Sequence, residues 1–192
     1  LEDQPGPEHW VRLRAFYIDI DEVTLGAYAE CVSAGACTEP DRSPLCNWGR
    51  DDRRDHPVNC VDREQAGAYC AWKGKRLPTE AEWEYVGRGT DGRRYPWGDS
   101  VRGKRGCWNR YSARLGTCPI GSFPDDVSWG GVHDLGGNVA EWVADSLCSY
   151  PYDETVELVD PYCERPTSSL GVQRGASWAA SHRGLPLWRR IY

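Results

Sequence analysis

Apolar positions recur at helical spacing in three places along the chain. Leu25, Tyr28 and Val32 fall on one face behind Thr24, whose hydroxyl suits an N-cap, and Gly35 follows, so a helix is predicted to start at Thr24. Ala66, Tyr69, Cys70 and Lys73 share a second face. That run opens on Asp62-Arg63-Glu64-Gln65, with Val61 and Ala66 spaced for a staple across the cap, and closes near Gly74. Thr79-Glu80-Ala81-Glu82 is a fuller capping box; it starts a third helix that turns Trp83 and Val86 inward and ends at Gly89. Partial alternation in Ala15-Phe16-Tyr17-Ile18-Asp19-Ile20 predicts a strand, preceded by an extended lead-in over residues 1–14. Residues 36–59 carry no periodicity and read as a long loop, and short strands and turns follow Gly89. The pattern is that of one α+β domain.

Composition sharpens this picture. The 192 residues include ten Trp and ten Tyr against two Phe and no Met, with 21 Gly and 13 Pro, which predicts a loop-rich fold plugged by large rings with polar handles. A net charge of −6 gives nucleic-acid or anionic-membrane binding no electrostatic support. No apolar run approaches the roughly 20 residues that span a bilayer. No leader pattern is present, so export implies a leader already removed. Nine cysteines without CxxC or Cys/His metal spacing predict disulfides, hence an extracellular, periplasmic or cell-surface location, and the odd count leaves one thiol over.

Four Trp- or Tyr-bearing motifs then occur in order: Arg76-Leu77-Pro78-Thr79-Glu80-Ala81-Glu82-Trp83-Glu84-Tyr85, Tyr95-Pro96-Trp97-Gly98-Asp99, Gly136-Gly137-Asn138-Val139-Ala140-Glu141-Trp142 and Arg174-Gly175-Ala176-Ser177-Trp178. Together they resemble the sulfatase-modifying-factor family, known for the formylglycine-generating enzyme, over roughly residues 15 to 190. The resemblance implies a C-type-lectin-like fold with small twisted antiparallel sheets, two to three helices and much irregular chain. Family members usually open with a Gly-rich, Met-containing strand and close on Gly-Phe-Arg-Cys, so the domain over residues 15–192 reads as truncated at both ends.

Cys107 and Cys118 lie eleven apart between two family motifs, and their pairing is expected; so is that of Cys148 with Cys163, which would close the Tyr- and Pro-rich excursion after Trp142. Cys31, Cys37, Cys46 and Cys60 leave three connectivities open. Cys70 is the expected free thiol, because its family partner would be the missing terminal cysteine.

The resemblance also locates chemistry. The family's oxidation of a substrate cysteine needs two copper-binding cysteines, two and seven residues beyond the Trp178 position; here these are Ala180 and Leu185, and no copper is expected. An iron-dependent branch takes most of its ligands from a domain this chain lacks, and His9, His56, His133 and His182 have no ligand spacing. His56, in Asp55-His56-Pro57-Val58, reads as a structural hydrogen-bonding group, and no catalytic residue is assigned. A structural calcium is implied at Asp134 and Glu141, by side-chain oxygens, and at Gly137 and Val139, by carbonyls. A second family calcium site, matching Asn109, reads as lost because no acidic residue follows before Asp125.

The expected role is therefore a non-catalytic, disulfide-stabilised, calcium-binding module. It would recognise a protein or small molecule through Trp178, Ser181, His182, Arg183, Trp188 and Arg189, residues that mix hot-spot types with small ones. The alternative is a family enzyme with a non-standard site, performing formylglycine-type cysteine oxidation or metabolite maturation.

Overall fold

The computed structural model describes residues 9–100, 105–108, 116–148, 157–164 and 171–191. Among them lie three helices, α1 (Leu25–Ser33), α2 (Arg63–Trp72) and α3 (Glu80–Arg88), and two small sheets. The caps form as their residue types dictate. The Thr24 hydroxyl accepts from the Ala27 amide at 3.1 Å. Asp62 with Gln65, and Thr79 with Glu82, exchange side-chain and backbone hydrogen bonds reciprocally. Each satisfies amides that have no acceptor inside the helix. Gly89 ends α3 at φ +64°, a conformation an L side chain would resist.

Strand β2 (Glu141–Ser146) pairs antiparallel with β4 (Gly171–Arg174), and strand β1 (Val11–Arg12) pairs parallel with β3 (Leu158–Val159). Two expectations are corrected here. One sheet is parallel rather than antiparallel, and the strand expected over residues 15–20 is absent, a two-residue strand lying in the lead-in instead. The alternation in Ala15–Ile20 serves packing rather than pairing. Phe16 and Ile18 lie against the main core, Tyr17 is fully exposed, and the Ile20 carbonyl accepts from His133 at 2.9 Å.

The main core joins Trp83 and Val86 of α3 to Val132, Leu135, Val143, Val172 and Leu187. A second cluster lies between α1 and α2, where Tyr28 and Tyr69 stack with ring centroids 5.8 Å apart. A third holds Tyr95, Ala176 and Leu185, with Trp97, Trp108 and Ala180 packed on it. Trp142, which its motif suggests as a core residue, is only half-buried; Val143 faces the core, and the Trp142 indole donates to the Val61 carbonyl at 2.9 Å.

Eight cysteines form four disulfides. Cys107–Cys118 and Cys148–Cys163 are as expected, and Cys31–Cys37 with Cys46–Cys60 resolve the open choice. Cys70 is free and half-buried. Each bridge closes a short loop and contributes roughly 2–4 kcal/mol, which explains how residues 36–59 stay ordered with little regular structure. No described helix is long and apolar enough to cross a membrane.

Candidate functional site

The turn from Asp134 to Val139 is buried through Asn138. Asp134 and Asn138 adopt left-handed conformations, φ +60° and +58°, which Asp and Asn tolerate better than most residues. Between them Gly136 and Gly137 have no room for a side chain. A Cβ on Gly136 would sit 2.5 Å from the Trp97 ring, and one on Gly137 would sit 2.8 Å from the Cys107 carbonyl. The Asn138 side chain ties the turn to the Cys118 backbone, its oxygen accepting from Cys118 N at 2.9 Å and its amide donating to Cys118 O at 3.2 Å.

Asp134 is buried, and its Oδ2 accepts from the Gly121 amide at 2.8 Å. Glu141, at the start of β2, accepts from the Trp83 indole at 3.0 Å, and desolvation pushes its pKa up to about 7. Gly137 is buried within the turn, and the Val139 amide donates to Glu22 at 3.1 Å. The four residues expected to hold calcium thus lie on one continuous turn and strand.

Two further acids face the same region. Glu22, just before α1, accepts from the Asn138 amide at 2.6 Å as well as from Val139. Its pKa is raised well above the usual carboxylate range, first by burial and then by Glu141 and Asp134. Asp126 is fully buried; its Oδ1 accepts from Gly136 N at 3.2 Å while its Oδ2 has no hydrogen-bond partner. Burial and the charge of Asp134 lift it strongly as well. Among the described residues, no three His, Cys, Asp or Glu side chains converge as a metal cage. Sequence reading missed Glu22 and Asp126. An acid two residues ahead of an N-cap carries no signal of a partner more than a hundred positions downstream.

The segment expected to bind a ligand is anchored at both ends. Trp178 is half-buried and its amide donates to the Asn138 carbonyl at 2.8 Å. Leu187 is buried and its amide donates to Arg94 O at 3.1 Å. Between them Ser181 and Arg183 are exposed, the backbone of His182–Gly184 makes a single 3-10 turn, and Leu185 is fully buried. Trp188 is half-buried beneath the guanidinium groups of Arg88 and Arg94, 5.7 and 5.1 Å from its ring centroid, and Arg189 donates to the Arg183 carbonyl at 3.0 Å. His56 is buried and bonds Thr117 Oγ1 at 2.9 Å, the structural role expected of it. Asn109 lies outside the described residues.

Comparison with known proteins agrees with this architecture. The sulfatase-modifying factor enzyme 1-like domain matches residues 1–188. The formylglycine-generating enzyme of Thermomonospora curvata is 42% identical over 231 residues, covering 92% of this chain and 75% of that protein. The inactive C-alpha-formylglycine-generating enzyme 2 of Bos taurus is 34% identical over 153 residues, covering 70% of this chain and 44% of that protein, so the chain spans less than half of that relative. The structure of PvdO from Pseudomonas aeruginosa superposes with a TM-score of 0.69 at 26% identity, covering 89% of this chain and 71% of that one. With its motifs, its three capped helices and a domain match over nearly its whole length, this chain belongs to the sulfatase-modifying-factor family.

Proposed function

We propose that the protein is a catalytically silent, calcium-stabilised recognition module on the formylglycine-generating-enzyme scaffold, acting outside the reducing cytosol. The observation that carries this reading is the third core cluster. Ala180 and Leu185 stand where the family resemblance puts the copper-binding cysteines, and both pack among Tyr95, Trp97 and Trp108. Neither side chain offers copper a ligand, and the lone free thiol, Cys70, belongs to α2. A relative named as an inactive member of the family is in keeping with this. The four disulfides suit an oxidising compartment.

Calcium fits the residues present. Asp134, Glu141 and the Gly137 and Val139 carbonyls are hard oxygen donors, the type calcium takes in shells of six to eight. The buried Asp126 oxygen in the same region is a further hard donor atom that no described hydrogen bond satisfies. Bound calcium would supply positive charge to this turn and so hold its conformation. The exposed Ser181 and Arg183, on a segment fixed at both ends, would then present contacts to a protein or small-molecule ligand.

The alternative, an enzyme with a non-standard site, draws on the relatives that bear the enzyme's name. One assay separates the two. A Cys-x-Pro-x-Arg peptide incubated with the protein, copper and oxygen should yield no aldehyde by mass spectrometry; aldehyde above the no-protein control would select the enzyme.

A further inference from the structure

We infer that the ligand of the C-terminal segment is an acidic peptide, held through its carboxylates by Arg94 and Arg183 around Trp188. The inference rests on the recognition reading of that segment and gives its ligand a chemistry. In a chain with 29 acids against 23 Lys and Arg, an exposed arginine readily meets a carboxylate. Arg12, Arg14, Arg42 and Arg76 each have one. Arg94 and Arg183 are exposed and, among the described residues, no acid side chain pairs with either. The acids of α3 and the turn after it are already committed. Glu84 gives one oxygen to Arg88 and the other to Arg174, both at 2.6 Å. Glu80 binds Arg174 and Arg190, and Asp91 binds Arg93 through both its oxygens. The surface around Trp188 is thus a patch of excess positive charge on a protein of net charge −6.

The cations are also held in place. The Arg94 backbone is fixed on both sides, its amide donating to Asp99 at 2.9 Å and its carbonyl accepting from Leu187 at 3.1 Å. Its guanidinium lies 5.1 Å from the Trp188 ring centroid and 5.7 Å from that of Tyr95. A guanidinium resting on a ring face keeps its N–H edge for a carboxylate, which it binds with two parallel hydrogen bonds. Arg183 sits on the short turn between the segment's two anchors, and its carbonyl accepts from Arg189, which brings another guanidinium to the same stretch. The exposed Ser181 hydroxyl makes no capping bond and supplies a further donor. Ala180 and Leu185 fill the cluster beneath, so these donors form an open face. A lone small anion there is hydrated and screened, whereas a chain bearing several carboxylates engages more than one guanidinium at once. Nucleic acid and anionic membranes extend past the patch and meet the repulsion of the whole acidic chain.

The test is fluorescence anisotropy of a fluorescein-labelled oligo-glutamate peptide titrated with the protein, beside matching oligo-lysine and oligo-glutamine peptides. Only oligo-glutamate should bind, and added salt should weaken it. Arg94→Gln combined with Arg183→Gln should weaken binding roughly tenfold, with an unchanged melting curve. Arg94→Lys restores the charge without the fork and should recover only part of the affinity. Lys73→Gln removes an exposed cation stacked on Trp72 at the end of α2 and should change nothing. Equal binding by the double variant, or an equal loss in Lys73→Gln, would overturn the assignment of these arginines. Free glutamate competing as well as the peptide, residue for residue, would make this a small-anion site and overturn the peptide. Binding of oligo-glutamine or oligo-lysine that Arg183→Gln abolishes would overturn the acidic chemistry and leave the recognition reading intact. Failure of oligo-glutamate to bind the unaltered protein overturns the inference alone; aldehyde formation in the peptide assay overturns both.

Discussion

Two groups of buried acids occupy the same core and are neutralised in opposite ways. Glu80 and Glu84 on α3 meet arginines. Arg174, its side chain 1% exposed, donates to Glu80 at 2.7 Å and to Glu84 at 2.6 Å. Arg190 donates to both Glu80 oxygens, and Arg88 adds a bond to Glu84 one helical turn away. Burial works against ionisation of Glu84, yet Arg174 and Arg88 hold its pKa below the usual carboxylate range. Glu22, Asp126, Asp134 and Glu141 form the other group, and no described arginine or lysine hydrogen-bonds any of them. Burial raises the pKa of all four, and a neighbouring acid adds to this at each. One group carries its cations within the chain; the other is suited to one supplied from solution.

The largest effect that would break this contrast is expected from Arg174→Met. Removing one partner of a buried ion pair leaves an uncompensated charge, a loss of about 3–5 kcal/mol. Urea unfolding at neutral pH measures it; a loss under about 1 kcal/mol would mean Arg190 and Arg88 suffice. Calcium withdrawal should act on the second group. At a hundredfold excess over its dissociation constant calcium stabilises by about 2.7 kcal/mol, so chelation should lower the melting temperature by roughly 5–10 °C. Glu141→Gln should remove that sensitivity, and indifference of the unaltered protein to chelator would reduce the turn to plain structure.

The two groups should also respond to pH with opposite signs. In chelator, the acids of the second group titrate higher folded than unfolded. Their stabilising contribution is complete below the ordinary carboxylate pKa and is lost as pH rises through the folded values, about 7 for Glu141. Glu84 contributes above the ordinary value and loses its contribution as pH falls through its lowered folded pKa. Melting temperature in chelator should therefore fall from pH 5 to pH 8, and calcium should flatten the slope. The smallest expected effect is Asp126→Asn, which should raise metal-free stability at neutral pH by about 1 kcal/mol by replacing an acid that its buried site makes costly to ionise. Glu84→Gln should lower it. A shared sign in denaturant melts would erase the distinction.

What the sequence made legible follows sequence distance. Thr24, Asp62 and Thr79 cap helices within three residues of themselves, so their roles are readable from spacing. Gly136 and Gly137 mark their turn for a comparably local reason, although the Trp97 ring and Cys107 carbonyl that exclude side chains there come from elsewhere. Glu22 pairs with Asn138 across 116 residues, and β1 meets β3 across a similar gap; no periodicity encodes such encounters. The strand expected over Ala15–Ile20 failed because alternation reports which side chains face inward, not whether a partner strand lies alongside. Trp142 shows a related limit, since an aromatic in a motif can serve its indole N–H and leave the deep position to Val143. Arg174, an unremarked member of its motif, became the hub of the first acid group only when α3 and β4 came together.

The anchored C-terminal segment has a practical consequence for engineering. Trp178 and Leu187 are tied by backbone hydrogen bonds that do not depend on side-chain identity between them, while Ala180 and Leu185 fill the core cluster. Gly184 is crowded, its notional Cβ lying 3.3 Å from that of Ala180. Ala179, Ser181 and Arg183 remain, all exposed. They form a small exposed surface whose side chains can be exchanged without touching the frame, so a library randomised at these three positions should keep its parent's folding yield.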